Sequence, residues 1–141
     1  MTPDVRRVVA LLECFDMPTS ITFYRALGFE IVEHWGARDG EIDWVRLRLG
    51  GAELMLNTAY DEDERPLMPD PGRVRGHSDT ELFFECADVD AVCEVLHRNG
   101  VAVGEPETTF FRTKRVWLKD PDGFQIWFQS PVGRIDPLPT P

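Results

Sequence analysis

Short alternating runs of apolar and polar residues define most of the chain. Val9 to Cys14 and Glu81 to Cys86 alternate with a period of two and carry β-branched, leucine or aromatic side chains, the pattern of half-buried strands. Asp16 and Asp88 then stand where a helix N-cap is wanted, and Pro18 suits the first turn of the helix that follows Asp16. Ile21, Tyr24 and Leu27 recur every three residues, and Val89, Val92, Cys93 and Leu96 recur at helical spacing, so two amphipathic helices are predicted. Gly28 and Gly100 end them as residues that tolerate positive φ. Three further strands follow each helix: Phe29 to Trp35, Asp43 to Leu49 and Glu53 to Asn57 after the first, and Val101 to Glu105, Arg115 to Leu118 and Phe124 to Gln129 after the second. Gly50-Gly51 and Asp120-Pro121-Asp122-Gly123 are tight-turn sequences between the last two strands of each set.

The two sets are copies of one another, displaced by about 72 residues. Glu13, Cys14 and Asp16 fall on Glu85, Cys86 and Asp88, Gly28 falls on Gly100, and Glu53 to Asn57 falls on Gln125 to Gln129. Val45-Arg46-Leu47-Arg48 matches Val116-Trp117-Leu118-Lys119 one residue out of step. The predicted order is therefore βαβββ twice, in one domain over 1–141: a first module at about 6–58, a linker over 59–80, a second module at about 81–130 and a tail over 131–141. The linker holds Asp61-Glu62-Asp63-Glu64 and three prolines, and reads as a tether or a lid; the proline-rich tail reads as an extended, unpacked end.

Composition narrows the partners. With 43% hydrophobic and 28% charged residues in 141, the chain has material for a core. A net charge of −10 argues against nucleic acid and against an anionic membrane surface. No apolar run is long enough to span a bilayer, Met1 to Arg7 is unlike a secretory signal, and three cysteines with no CxxC spacing suit a reduced, cytoplasmic protein.

The repeat, the Phe23 to Phe29 segment FYRALGF and the late segment WLKDPDGFQIWF together resemble the vicinal oxygen chelate superfamily, which includes glyoxalase I, extradiol dioxygenases, fosfomycin-resistance enzymes and bleomycin-resistance proteins. The resemblance spans roughly 6–130. It implies an α+β fold in which tandem βαβββ modules form a curved, barrel-like sheet with the helices outside and a ligand in the concave space. It also implies frequent homodimers, with cavities made by paired modules.

Metal-using members take a His, Glu or Gln ligand from the first and last strand of each module. Those positions fall here on Val9, Met55, Glu81 and Trp127, of which only Glu81 is a donor for a hard cation. A catalytic metal ordinarily needs about three protein ligands, so no metal and no cofactor is expected. Glu13, Glu53, Glu85 and Gln125 also alternate onto the concave face, but Glu13 lies about 13 Å along the strand from Val9. These acids are expected to line a wet cavity or to pair with Arg46, Arg48 and Lys119.

The same alternation sends Val45, Leu47, Leu49, Val116, Leu118, Ile126 and Phe128 to the helix side, and Trp44, Arg46, Arg48, Arg115, Trp117, Lys119 and Trp127 to the other, with Phe83. The candidate ligand cavity is Trp44, Arg46, Met55, Glu81, Phe83, Trp117 and Trp127, suited to a flat, partly apolar small molecule; the same rings could instead fill a barrel interior or a dimer interface. His34, His77 and His97 are scattered, His97 on the surface and His77 in a solvated loop or at the cavity mouth. The expected activity is sequestration of a small aromatic or cationic compound without a metal. The alternatives are a superfamily enzyme with misplaced donors, or a metal-free enzyme using Glu81 as general base.

Overall fold

The computed structural model describes residues 1–132. The element order is β1 (Ala10–Cys14), α1 (Met17–Leu27), β2 (Glu30–Trp35), β3 (Trp44–Leu49), β4 (Ala52–Thr58), α2 (Pro71–Gly76), β5 (Glu81–Glu85), α3 (Val89–Arg98), β6 (Glu107–Thr108), β7 (Thr113–Lys119) and β8 (Gln125–Pro131). Each module makes its own four-stranded sheet, ordered β1-β4-β3-β2 and β5-β8-β7-β6. In each, the first strand runs parallel to the last and the other pairings are antiparallel. The fold is α+β, with two curved sheets that do not close into a barrel.

The helix caps follow from the local sequence. The Asp16 carboxylate accepts from the Thr19 backbone and hydroxyl, and Asp88 accepts from the Asp90 and Ala91 amides. Gly28 ends α1 at φ 111°; α3 is capped by Asn99, and Gly100 follows at φ 78°. The helix-facing sides of both sheets share one core. Leu12, Val45, Leu47 and Leu54 from the first sheet and Val116, Leu118, Ile126 and Phe128 from the second are buried in one cluster with Tyr24 and Leu96. Helices α1 and α3 touch, and the Phe29 and Phe84 rings meet edge to face 5.4 Å apart.

Three expectations about the elements are corrected. Val101 to Glu105 is not a strand: Pro106 lacks the N–H that a ladder needs, and pairing starts only at Glu107, where β6 spans two residues. The linker is not a plain loop. Asp70 caps α2, with Pro71 in its first turn, and short 3-10 turns cover Glu62–Glu64 and His77–Asp79. The tail does not begin at Pro131, which pairs with Thr113, and Val132 N donates to Arg112 O at 2.8 Å. The rest of the predicted tail lies outside the described residues.

The linker straps the modules together through the Asp120-Pro121-Asp122-Gly123 turn. Asp122, 2% exposed, accepts from Phe15 N at 2.8 Å and Ser20 Oγ at 3.3 Å, and pairs with Arg73 of α2 at 3.0 Å. Arg73 also donates to Glu13 O at 2.6 Å. Asp120 accepts from the buried Tyr24 hydroxyl at 2.8 Å and from the Asp122 and Phe124 amides. Burial pushes the Asp120 carboxyl above its ordinary range, against the pull of those donors. His77 is half-buried in a packed contact rather than a freely solvated loop residue: its ring stacks on Phe124 at 3.9 Å, and Nδ1 donates to Asp122 O at 2.7 Å. Gly123, at φ 90°, is required because a Cβ there would stand 2.5 Å from Val74 O.

Candidate functional site

On the second sheet, β8 lies between β5 and β7, and register brings Phe83 and Trp117 opposite Trp127 on either flank. Phe83 and Trp127 are parallel to within 3° at 5.4 Å, and Trp117 is tilted at 6.3 Å from Trp127. The Trp127 indole N–H donates to Glu81 Oε1 at 3.1 Å, so this acid orients the central ring. Arg115 lies over Trp127 with Cζ 4.5 Å from the ring centroid, and Lys119 Nζ lies 5.8 Å from that of Trp117. Phe83 and Trp117 remain 44% and 41% exposed, so the row is open. A groove of about 860 Å³, within the range of ligand pockets, runs beside it, lined by Trp117, Trp127, Arg115, Lys119, Glu105 and Glu107 among others.

The matching face of the first sheet is ionic. Glu53, its side chain 7% exposed, receives Arg46 at 2.7 Å, Arg7 at 3.1 Å and Arg48 at 3.2 Å. The Arg46 hydrogen bond, helped by Arg48 and Arg7, holds this carboxyl below the usual carboxylate range despite partial desolvation. Arg46 reaches Glu33 as well, at 3.5 Å. Trp44 stands opposite Asn57, and Met55 stands between Leu11 and Arg46. Glu13 is exposed and receives the Asn57 amide.

The seven candidate residues thus fall into two groups. Phe83, Trp117, Trp127 and Glu81 are in mutual contact or linked through Trp127; Trp44, Arg46 and Met55 lie on the other sheet. No hydrogen bond, ion pair or ring contact joins the two groups. A cleft of about 810 Å³ separates the β1 and β5 edges and is lined by Phe83, Glu53, Val8, Leu27 and Val95 among others. Arg115 was placed on the right face by alternation but not in the candidate cavity. What singles it out is long-range: the rings of Trp127 and Phe111, the latter 5.8 Å from its Cζ.

Of the positions that the family resemblance assigns to a metal, Val9 lies before β1, and Met55, Glu81 and Trp127 lie on β4, β5 and β8. Met55 and Trp127 sit opposite Leu11 and Phe83, and Glu81 is engaged by an indole N–H. This donor set does not fit a divalent cation. Among the described residues, no group of three or more His, Cys, Asp or Glu side chains is close enough to hold a metal, and no helix is long and apolar enough to cross a membrane.

Duplicated βαβββ modules, each carrying a side-chain-lined concave face, define a glyoxalase-like protein. Residues 8–128 match the family model of the Glyoxalase/Bleomycin resistance protein/Dioxygenase superfamily, and the chain belongs to it. Its fold is similar to that of a bleomycin-binding protein solved in complex with bleomycin (TM-score 0.65, 20% identity, covering 89% of this chain and 98% of that one). A bleomycin resistance determinant encoded on the transposon Tn5 gives a TM-score of 0.66 at 20% identity over 90% and 98% of the two chains. TnmS3, an antibiotic binding protein from Streptomyces sp. CB03234, gives 0.62 at 23% over 92% and 99%. By sequence, no curated protein matches the chain.

Proposed function

We propose that this protein binds and sequesters a small planar aromatic molecule, without a metal, on the concave face of its second module. The observation that carries the reading is the Phe83, Trp127, Trp117 row, half open to solvent beside a ligand-sized groove. Offset-stacked rings recognise a flat ligand on either face, and Glu81 fixes the middle ring before the ligand arrives. Two of the similar structures are of proteins that bind bleomycin or an antibiotic by name, which supports a bulky small molecule as the ligand class. Enzymatic alternatives that use Glu81 find little support, because this carboxylate is committed to the indole.

Titration of tryptophan fluorescence with a panel of acridines and anthraquinones tests the proposal. Saturable quenching is expected, weakened at least about tenfold in Trp127→Ala. No saturable response across the panel, or an unchanged response in the variant, would sink it. Stoichiometric iron, manganese, nickel or zinc in protein purified without chelator would favour the enzymatic reading instead.

We further propose a homodimer in which a second copy closes each open face. Sedimentation equilibrium should give twice the 16.1 kDa chain mass; a monomer at micromolar concentration would reject this arrangement.

A further inference from the structure

One cation position is common to the concave faces of the two modules, but it meets a carboxylate only in the first. Arg48 of β3 stands opposite Glu53 of β4, and Lys119 of β7 stands opposite Gln125 of β8 in the same cross-strand register. In the first module the carboxylate gathers three arginines. In the second its place is taken by an amide that donates instead to Ser78 O at 2.5 Å. Lys119 consequently has no ion-pair partner among the described residues.

Arg115 is the stronger case. Its guanidinium is held against the rings of Trp127 and Phe111, at 4.5 and 5.8 Å, yet among the described residues it has no ion-pair and no side-chain hydrogen-bond partner. Its Nε is buried with no acceptor. Glu107 stands opposite it across the β6 to β7 pairing, and Glu105 lines the same groove, but neither forms an ion pair with it. Burial shuts that Nε off from solvent, but the terminal nitrogens of the same guanidinium are not shut off in this way, so they are placed to take an acceptor supplied from outside.

We infer that the ligand is a planar aromatic anion, its ring system on the Phe83, Trp127, Trp117 row and its carboxylate, sulfonate or ionised phenol on Arg115, with Lys119 adding charge at the far end. This rests on the binding reading above and reverses its cationic option. The net charge of −10 and Glu81 invite a cation at long range, but Glu81 is occupied by the Trp127 N–H, and the charges that lie over the rings themselves are those of Arg115 and Lys119, although Glu105 and Glu107 line the same groove. A guanidinium stacked on an indole keeps its in-plane donors free, so it can hold an anion and the ring edge together.

Three probes of similar shape separate the possibilities in one fluorescence titration: anthraquinone-2-sulfonate, neutral acridone and cationic 9-aminoacridine. The anion should bind about tenfold or more tightly than either other probe, and raising the salt concentration should shrink that advantage. Arg115→Gln should abolish it and, by removing a like charge beside the rings, tighten the cation's binding; Lys119→Gln, a milder change at an exposed position, should reduce it severalfold. Equal or tighter binding of acridone or 9-aminoacridine overturns the anionic assignment while leaving the binding reading intact. So does an anion preference that survives in both variants. No binding of any probe removes the binding reading itself.

Discussion

Glu53 shows how one side chain sets the character of a face. Three arginines converge on a nearly buried carboxylate, and its pKa is lowered by them. The unfolded chain therefore takes up a proton at this site first as pH falls, so the contribution to stability is present above the ordinary glutamate range and is lost below it. The thermal midpoint of the wild type should fall more steeply between pH 6 and pH 3.5 than that of Glu53→Gln, which should start lower at pH 6 and vary less; parallel curves would show that Glu53 is not the linked group. At Gly123 the argument is steric. Gly123→Ala meets both a positive φ and the Val74 carbonyl, so a loss of about 2 kcal/mol or more is expected from urea unfolding. Residue chemistry of this kind was partly legible in advance. Alternation placed Val45, Leu47, Val116 and Ile126 inside and Arg46, Trp117 and Trp127 outside, because a period of two leaves no other choice once a strand exists. That Glu81 would hold an indole, or that His77 would lie on Phe124, depends on contacts between distant parts of the chain, and no local pattern encodes them.

At the scale of elements, the modules differ most at the outer edge of β7. In the first, β2 pairs along β3 from Arg48 to Trp44. In the second, β6 covers only Lys114 and Arg115, after which Pro106 and Gly104 carry the chain away. The hydrogen bond from Asp120 N to Phe124 O sets the hairpin parity, so Trp117 and Lys119 point their backbone groups outward to this uncovered edge. Their amides should exchange with deuterium far faster than those of Arg46 and Arg48, their counterparts under β2. Comparable protection would mean that 101–105 closes the sheet in solution. The expected strand at Val101 to Glu105 follows the repeat, whereas Pro106 at its end lacks the N–H a ladder needs, and pairing begins only at Glu107. In the linker the opposite occurred. Asp70-Pro71 is an N-cap followed by a first-turn proline, a helix start that six residues of α2 then fulfil.

For the whole molecule, the decisive contact is between α1 of the first module and the Asp120 to Gly123 turn of the second. Asp122 is nearly inaccessible and serves a backbone amide, a hydroxyl and Arg73 together. Arg73→Met leaves that carboxylate buried without its cation and should cost about 3 kcal/mol. If the modules are one cooperative unit, urea unfolding will remain a single transition with a lower midpoint. Two separated transitions would mean that the strap, rather than the shared core, joins the halves. Two βαβββ modules were legible because duplication doubles every local signal. Their packing, with both helix faces in one core, was not, since each module taken alone satisfies its own pattern.

The strap also breaks the symmetry of the duplication in a way that constrains recombination. The donors that serve the acidic turn, Phe15 N, Ser20 and Tyr24, belong to α1 and its approach; one repeat later stand Ala87, Val92 and Leu96. The first module's own hairpin carries Gly50-Gly51 where the second carries the two aspartates. Lock and keyhole are therefore on different halves, and each half has only one of them. A chimera that exchanges whole halves between relatives must match α1 to the incoming turn. A tandem of two second halves would bury two pairs of aspartates against helices that offer them neither hydroxyl.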